Sequence, residues 1–226
     1  EDTVRLVPSI SPYLIAGPEL YVSAADTPLD NARSHVVMGS MARDDGNLIL
    51  SEQEAASIAE AYPAASKLIR GLLGSQELIH FRNRKCIWIE DEDIEIAESI
   101  PPVKERINRV RNFRAASSAK TTRGYATIPH MFAQRAHKDT QSIIIAATSS
   151  EVRPYLPADF LEPRNIITNA AYAMYSAKTW ELALVISKLH LVWVESICGK
   201  LETRLRYSST LGWNTFPVPL LTEKNK

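Results

Sequence analysis

The chain has 226 residues, 45% hydrophobic and 23% charged, with 26 basic and 26 acidic side chains in balance. This is the composition of a globular chain holding one large domain, or a domain plus a short appendage, and it excludes disordered and collagen-like classes. No apolar run approaches the ~20 residues of a membrane-spanning helix, and zero net charge argues against a surface given over wholly to nucleic acid.

The opening, EDTVRLVPSI, has neither the basic nor the apolar region of a signal peptide, and an acidic start without methionine suggests a piece of a longer protein. Ser11 to Ser23 reads as two short strands broken at Gly17-Pro18, and His35 to Met41 as a further apolar stretch. Asp44-Asp45-Gly46-Asn47 is a turn feeding a strand. Ser51 with Glu54 three residues on is a capping-box start for a helix over Glu52 to Ala61. Tyr62-Pro63 ends that helix, and Pro63 opens a second short one that Gly71 stops. Residues 77–89 read as a hairpin turning near Arg82-Asn83. His80 within it has no nucleophile or carboxylate partner in the sequence and reads as a surface histidine rather than a general base.

Charge is unevenly distributed. Residues 90–98, EDEDIEIAE, carry six acids and no base, and read as a short helix closed by Pro101-Pro102. Residues 103–123 carry seven bases (Lys104, Arg106, Arg109, Arg111, Arg114, Lys120, Arg123) against Glu105 alone. Val103, Ile107, Val110 and Arg114 share one helical face there, with the other arginines around it. The segment suits either a phosphate-tracking element or a docking helix with solvated arginines. The polar, basic stretch SSAKTTRGYA after it is the candidate to order on DNA. Neutrality of the whole chain therefore does not forbid a basic face.

Gln141 to Ala147 is an apolar, β-branched strand. Beyond it Glu151 and Arg153 are either DNA contacts or an ion pair that sets a conformation. Asn169 carries an amide able to bridge N6 and N7 of adenine, and Ala170 beside it could meet a thymine methyl. From Thr179 to Cys198 the recurrence of Leu182, Ile186, Leu189, Trp193 and Ile197 predicts one long helix, with Gly199 as its stop. The period then changes to two. Lys200, Glu202, Arg204 and Arg206 fall on one side of a strand and Leu201, Thr203, Leu205 and Tyr207 on the other. A carboxylate beside a guanidinium on a strand can accept from cytosine and fork onto guanine. The alternative is a helix running through Gly199 with those charges solvated.

The words HLVWVESICGKLETRLRYS and WNTFPVP resemble the end of the target-recognition domain of MmeI-like type IIL restriction-modification enzymes and related adenine-specific DNA methyltransferases. ARDDGNLIL, Arg106 to Ser117, and SSEVRPYLPADFL followed by IITNA are similar to further phrases of that family, so the likeness runs from about Ser9 to Pro219. Glu195, Trp213, Thr215 and Val218 depart from its usual letters. The resemblance implies that Asn169, Ala170, Glu202 and Arg204 read bases. It casts residues 1–40 as the way out of a methyltransferase domain and 41–226 as the recognition domain. Arg109, Arg111, Arg114, Lys120, Arg123, Arg153, Lys200 and Arg206 are the candidate backbone contacts.

No S-adenosylmethionine loop, Asn/Asp-Pro-Pro-aromatic motif, nuclease triad, zinc spacing or Walker loop occurs in the sequence. Cys86 and Cys198 sit in apolar surroundings and read as buried free thiols of a cytoplasmic protein. The expectation is an α+β fold: a twisted, mostly antiparallel sheet with packed helices, and a long C-terminal helix placing a base-reading strand. Its function would be non-catalytic reading of double-stranded DNA for an N6-adenine methyltransferase in phage defence. The parent would carry S-adenosylmethionine, and magnesium if a nuclease is fused. The second reading is an assembly module of a defence complex.

Overall fold

A computed structural model describes residues 4, 6–14, 16–218 and 222; the acidic opening at residues 1–3 and the final Pro219 of WNTFPVP lie outside them. Contacts divide the chain into two compact units built from non-adjacent segments. The larger comprises 37–146 and 157–177, the smaller 1–36, 147–156 and 178–226.

The larger unit begins within β1 (Val36–Met38). The expected turn forms next. Asn47 N–H donates to the Asp44 carbonyl at 3.1 Å and Leu48 N–H to the Asp44 carboxylate at 2.6 Å, while Asp45 and Gly46 adopt φ of 53° and 76°. β2 (Ile49–Leu50) leads to α1 (Glu52–Ala61), whose capping box is complete: Ser51 Oγ accepts from Glu54 N–H at 3.1 Å, and the Glu54 carboxylate accepts from Ser51 N–H at 2.8 Å. Pro63 opens only a 3₁₀ turn to Lys67, and Gly71 lies inside β3 (Ile69–Leu73) instead of ending a helix. A Cβ on Gly71 would run into the Asn165 side chain, so its small size serves close packing.

The hairpin expected over 77–89 is instead α2 (Ser75–His80) followed by β4 (Lys85–Ile87). Glu77 favours the helix, since its carboxylate accepts the otherwise orphaned Gly74 N–H at 2.8 Å, and Phe81 closes it in a left-handed conformation (φ 52°). The acidic run forms a 3₁₀ turn and α3 (Ile94–Ser99), after which Pro101 and Pro102 open α4 (Pro101–Ala115), where a missing N–H costs nothing. Val103, Ile107, Val110 and Arg114 are its buried face, as the spacing predicts. The segment expected to order on DNA is already folded, as α5 (Lys120–Gly124) and a 3₁₀ turn.

β5 (Ser142–Ala146) is buried along its whole length. β6 (Thr148–Ser149) belongs to the smaller unit, while β7 (Ala158–Leu161), β8 (Asn165–Ile167) and β9 (Ala171–Tyr175) return to the larger. Two four-stranded sheets result, in the orders β1-β9-β5-β7 and β2-β4-β3-β8. β7 and β9 flank β5 antiparallel, as β2 and β3 flank β4, while β3 and β8 run parallel. Leu48, Leu72, Trp88, Val103 and Ile166 are among the side chains of the main core.

In the smaller unit the predicted long helix is broken into α6 (Thr179–Val185) and α7 (Lys188–Ile197). Ser187 breaks it, because its hydroxyl accepts the His190 N–H at 3.1 Å and starts a new helix. Gly199 is not a left-handed stop; α7 ends at Cys198 with φ −83° and ψ 156°. The strand expected from Lys200 to Tyr207 is a hairpin, β10 (Lys200–Leu201) and β11 (Arg204–Arg206), joined to β6 in the order β10-β11-β6. The two strands predicted over Ser11–Ser23 are absent among the described residues there, apart from a bridge between Ile10 and Ala16; Ile15 lies outside them. Proline at positions 12 and 18 removes donors that a ladder would need. Residues 1–36 pack with the C-terminal segment: Leu29 N–H donates to the Asn214 carbonyl at 2.9 Å and Trp213 Nε1 to the Ser34 carbonyl at 2.8 Å. The class is α+β as expected, with three sheets among the described residues in place of one.

Candidate nucleic-acid interface

The hairpin register pairs Leu201 with Arg204, which leaves Glu202 and Thr203 as its tip, and Glu202 takes a positive φ of 58°. Glu202 and Arg204 are therefore not neighbours along a straight strand. They meet across the turn, where Arg204 Nη2 donates to Glu202 Oε2 at 2.9 Å, and both side chains are exposed. Thr203 Oγ1 donates to the Glu151 carboxylate at 3.0 Å, tying the tip to the 147–156 segment of its own unit. Hydrogen bonds from its own backbone N–H and then from the Thr203 hydroxyl hold the Glu151 carboxyl below the ordinary range. Lys200 and Arg206 are also exposed, while Leu205 and Tyr207 point inward, so alternation holds along β11. Arg153 is half-buried and makes no ion pair with Glu151, whose bond goes to Thr203.

The hairpin stands on a dense base. His190 is buried, its ring nitrogens 2.9 Å from the Val185 carbonyl and 3.1 Å from the Gly212 carbonyl, with Tyr207, Trp213 and Phe216 around the ring. Burial pushes its pKa down. The buried Cys198 thiol, raised by burial, lies near Gly212, where a Cβ would sit 3.2 Å from its sulfur.

Asn169 and Ala170 are exposed on a turn between β8 and β9 in the larger unit. The turn is pinned from both sides. Asn169 N–H donates to the Ser40 carbonyl at 2.9 Å, Thr168 N–H to the Leu73 carbonyl at 2.8 Å, and Ser75 Oγ to the Ala170 carbonyl at 2.5 Å. Two glycines let it sit so close. A Cβ on Gly39 would enter the Ile167 and Thr168 carbonyls, and one on Gly74 would lie 2.7 Å from Thr168 Oγ1 and 3.2 Å from Ala170 Cβ. The same turn lines a cleft of about 350 Å³ together with Arg43, Arg84 and Phe132.

Of the basic residues on α4 and after it, one is misassigned by sequence reasoning. Arg114 is fully buried and donates to five carbonyls: Arg43 (2.9 Å), Ala42 (2.8 Å), Met131 (2.7 Å), Tyr125 (3.0 Å) and Ile128 (2.9 Å). It clamps two loops and presents nothing to DNA, which also explains why residues 120–127 are folded. Arg109 and Arg111 are exposed, held by Glu105 at 2.5 Å and the Asn108 amide oxygen at 2.6 Å. Lys120 is exposed, and Arg123 donates to the Ser117 and Ser118 carbonyls at 2.8 and 2.7 Å.

The sequence model of the family described as "MmeI, target recognition domain" matches residues 16–220. The chain belongs to this family. Among characterised proteins, DNA methyltransferase A of Bacillus subtilis (strain 168) is 33% identical over 227 residues, 100% of this chain and 26% of the relative. A solved structure described as the type IIL restriction-modification enzyme MmeI in complex with DNA has a TM-score of 0.88 at 33% identity, covering 96% of this chain and 29% of that one. The chain thus spans little more than a quarter of the length of either relative.

Within this target recognition domain the four expected readers fall into two pairs, Asn169 with Ala170 in the larger unit and Glu202 with Arg204 in the smaller. Sequence reasoning passed over Arg43 and Arg84, which line the cleft beside Asn169. The one signal for them was the DDGN turn next to Arg43. Among the described residues no group of three or more His, Cys, Asp or Glu is arranged to hold a metal, and no helix is long and apolar enough to cross a membrane.

Proposed function

We propose that this chain reads the sequence of double-stranded DNA on behalf of an N6-adenine DNA methyltransferase, as the non-catalytic recognition portion of a type IIL restriction-modification protein. The observation that carries the reading is the exposed Glu202–Arg204 pair at a hairpin tip, in a chain whose solved relative is described in complex with DNA. Acceptor and donor stand side by side there, which is the chemistry a C·G pair offers in the major groove. Asn169 would read a second position and Ala170 would allow or contact a thymine methyl. Arg109, Arg111, Lys120, Arg123, Arg153, Lys200 and Arg206 are left to meet phosphates.

Residues 1–40 would lead in from a methyltransferase portion of the same polypeptide, with the amendment that 1–36 pack with the C-terminal segment. S-adenosylmethionine would be bound by that portion, and magnesium by a nuclease if one is fused. A reducing cytoplasm suits its two buried free thiols, Cys86 and Cys198.

Fluorescence anisotropy of the full-length protein on random duplex tests the reading. Binding at about 50 mM salt should weaken by orders of magnitude by about 200 mM. Absence of binding at the lower salt would contradict the reading and favour an assembly module.

A further inference from the structure

The larger unit holds a cleft that none of the expected readers accounts for, of about 350 Å³, bordered by Asn169, Ala170, Arg43, Arg84, Asp44 and Phe132. Arg43 and Arg84 both line this small recess, with Asp44 as its one lining carboxylate. That carboxylate is already engaged: Asp44 is buried and accepts the Leu48 N–H at 2.6 Å. With Glu77 also 3.3 Å from Arg84, the recess is close to charge-balanced at rest, and what it offers beside the reading turn is guanidinium donors.

Each arginine is held in place while keeping free donors. Arg43 adopts φ 48°, a left-handed conformation that is strained for a residue with a Cβ. Arg114 sustains it by donating to the Arg43 carbonyl at 2.9 Å. The Arg43 side chain spends Nη1 on Thr122 Oγ1 at 3.0 Å and Nε on Met41 Sδ at 3.3 Å, leaving Nη2 without a partner among the described residues. Arg84 places Nε 3.3 Å from Glu77 Oε1, and both its terminal nitrogens are without partners among the described residues. Glu77 is itself fixed by the Gly74 N–H, on the residue against which Ala170 packs.

We infer that this cleft is a phosphate site: Arg43 and Arg84 grip a phosphodiester of the DNA strand whose base Asn169 meets. The inference rests on the recognition reading of Asn169. A phosphate takes both groups at once: Arg84 can fork onto two of its oxygens while Arg43, tied at Nε and Nη1, adds a directed charge. Loops preset by Arg114 and by the Glu77 cap deliver both charges without an ordering cost at the moment of binding.

Arg43→Gln, Arg84→Gln and the double variant, in the full-length protein, are to be compared with wild type by anisotropy across salt concentration and by sequencing of methylated sites. Because the two arginines share one phosphate, the double change should reduce the log–log salt slope by about 0.9 and each single change by less than that, with the methylated motif unchanged. Arg43→Lys and Arg84→Lys should restore most of the slope, which separates lost charge from lost fold. Slopes equal to wild type in the glutamine variants would overturn the proposal. So would a motif altered at one base pair, because that marks the arginines as base readers. Wild-type protein that binds without salt dependence would instead sink the recognition reading beneath it.

Discussion

At the scale of single residues, the same side chain serves opposite ends according to what surrounds it. Arg109 and Arg114 are five residues apart on one helix, yet the first is exposed and the second satisfies five carbonyls inside the unit. Helical spacing put Arg114 on the buried face beside Val103, Ile107 and Val110, and that placement, not its charge, decided its role. Arg114→Met should destabilise the fold by about 3 kcal/mol, since the Arg43 and Met131 carbonyls lose the donor they have and the Ala42, Tyr125 and Ile128 carbonyls keep only a backbone N–H at 3.2 Å. Urea unfolding would show it as a midpoint moved to lower denaturant; an unchanged midpoint would contradict it.

His137 carries a second residue-level prediction. It is nearly buried between Trp88 and Tyr175, and its Nε2 faces Arg70 Nη1 at 3.2 Å, so the ring accepts there and must be neutral. Burial first and then Arg70 lower its pKa to about 4, with Asp139 opposing them and Arg135 and Glu90 acting more weakly in opposite directions. Folding favours the neutral ring. Its contribution is complete above the ordinary value near 6.5 and drains away as pH falls toward 4, a loss of up to about 3 kcal/mol. Melting temperatures taken between pH 7.5 and 4.5 should fall more steeply in wild type than in His137→Gln; parallel curves would contradict this.

At the scale of elements, the surfaces proposed to read DNA are short, and glycines and caps shape them. Gly74→Ala should displace the Thr168–Ala170 turn, because the added methyl meets Thr168 Oγ1 and Ala170. The expected outcome is a stability loss of about 1–3 kcal/mol and weaker discrimination at one base position, with the other positions intact. Methylated-site sequencing is the check, and uniform loss at every position would speak against a local displacement. The legibility of these elements from sequence followed their period and caps. Ser51 with Glu54 announced α1, and the β-branched run QSIIIAA announced β5. What escaped was governed by contacts remote in sequence or by one competing cap. Ser187 broke a helix whose apolar rhythm ran straight through it, and Glu77 turned an expected hairpin into α2. The alternation from Lys200 to Tyr207 was real only in its second half, since the tip at Glu202 reverses the chain. Even so, the hairpin delivers the adjacency of Glu202 and Arg204 that a strand would have given.

At the scale of the whole molecule, balanced charge hides a division of labour. The words that carried the family resemblance are largely structural here: His190, Cys198, Tyr207, Trp213 and Phe216 form the base of the hairpin. The charged letters between them, Lys200, Glu202, Arg204 and Arg206, are the ones left in solvent. A scaffold of buried aromatics can thus carry different exposed letters without refolding. The division of the chain into two units, with residues 1–36 joined to the C-terminal segment, was not legible, because no local pattern specifies a partner nearly two hundred positions away.

Exchanging the two charges at the hairpin tip puts the account to its hardest trial. In the full-length protein, Glu202→Lys combined with Arg204→Asp keeps one cation beside one anion but swaps their places, and the modified adenines in total DNA can then be mapped by sequencing. The account predicts that one position of the methylated motif inverts between C·G and G·C, at about 1–3 kcal/mol of preference, while every other position stays the same. A motif identical to that of the wild type, written by a folded and active double variant, would contradict it.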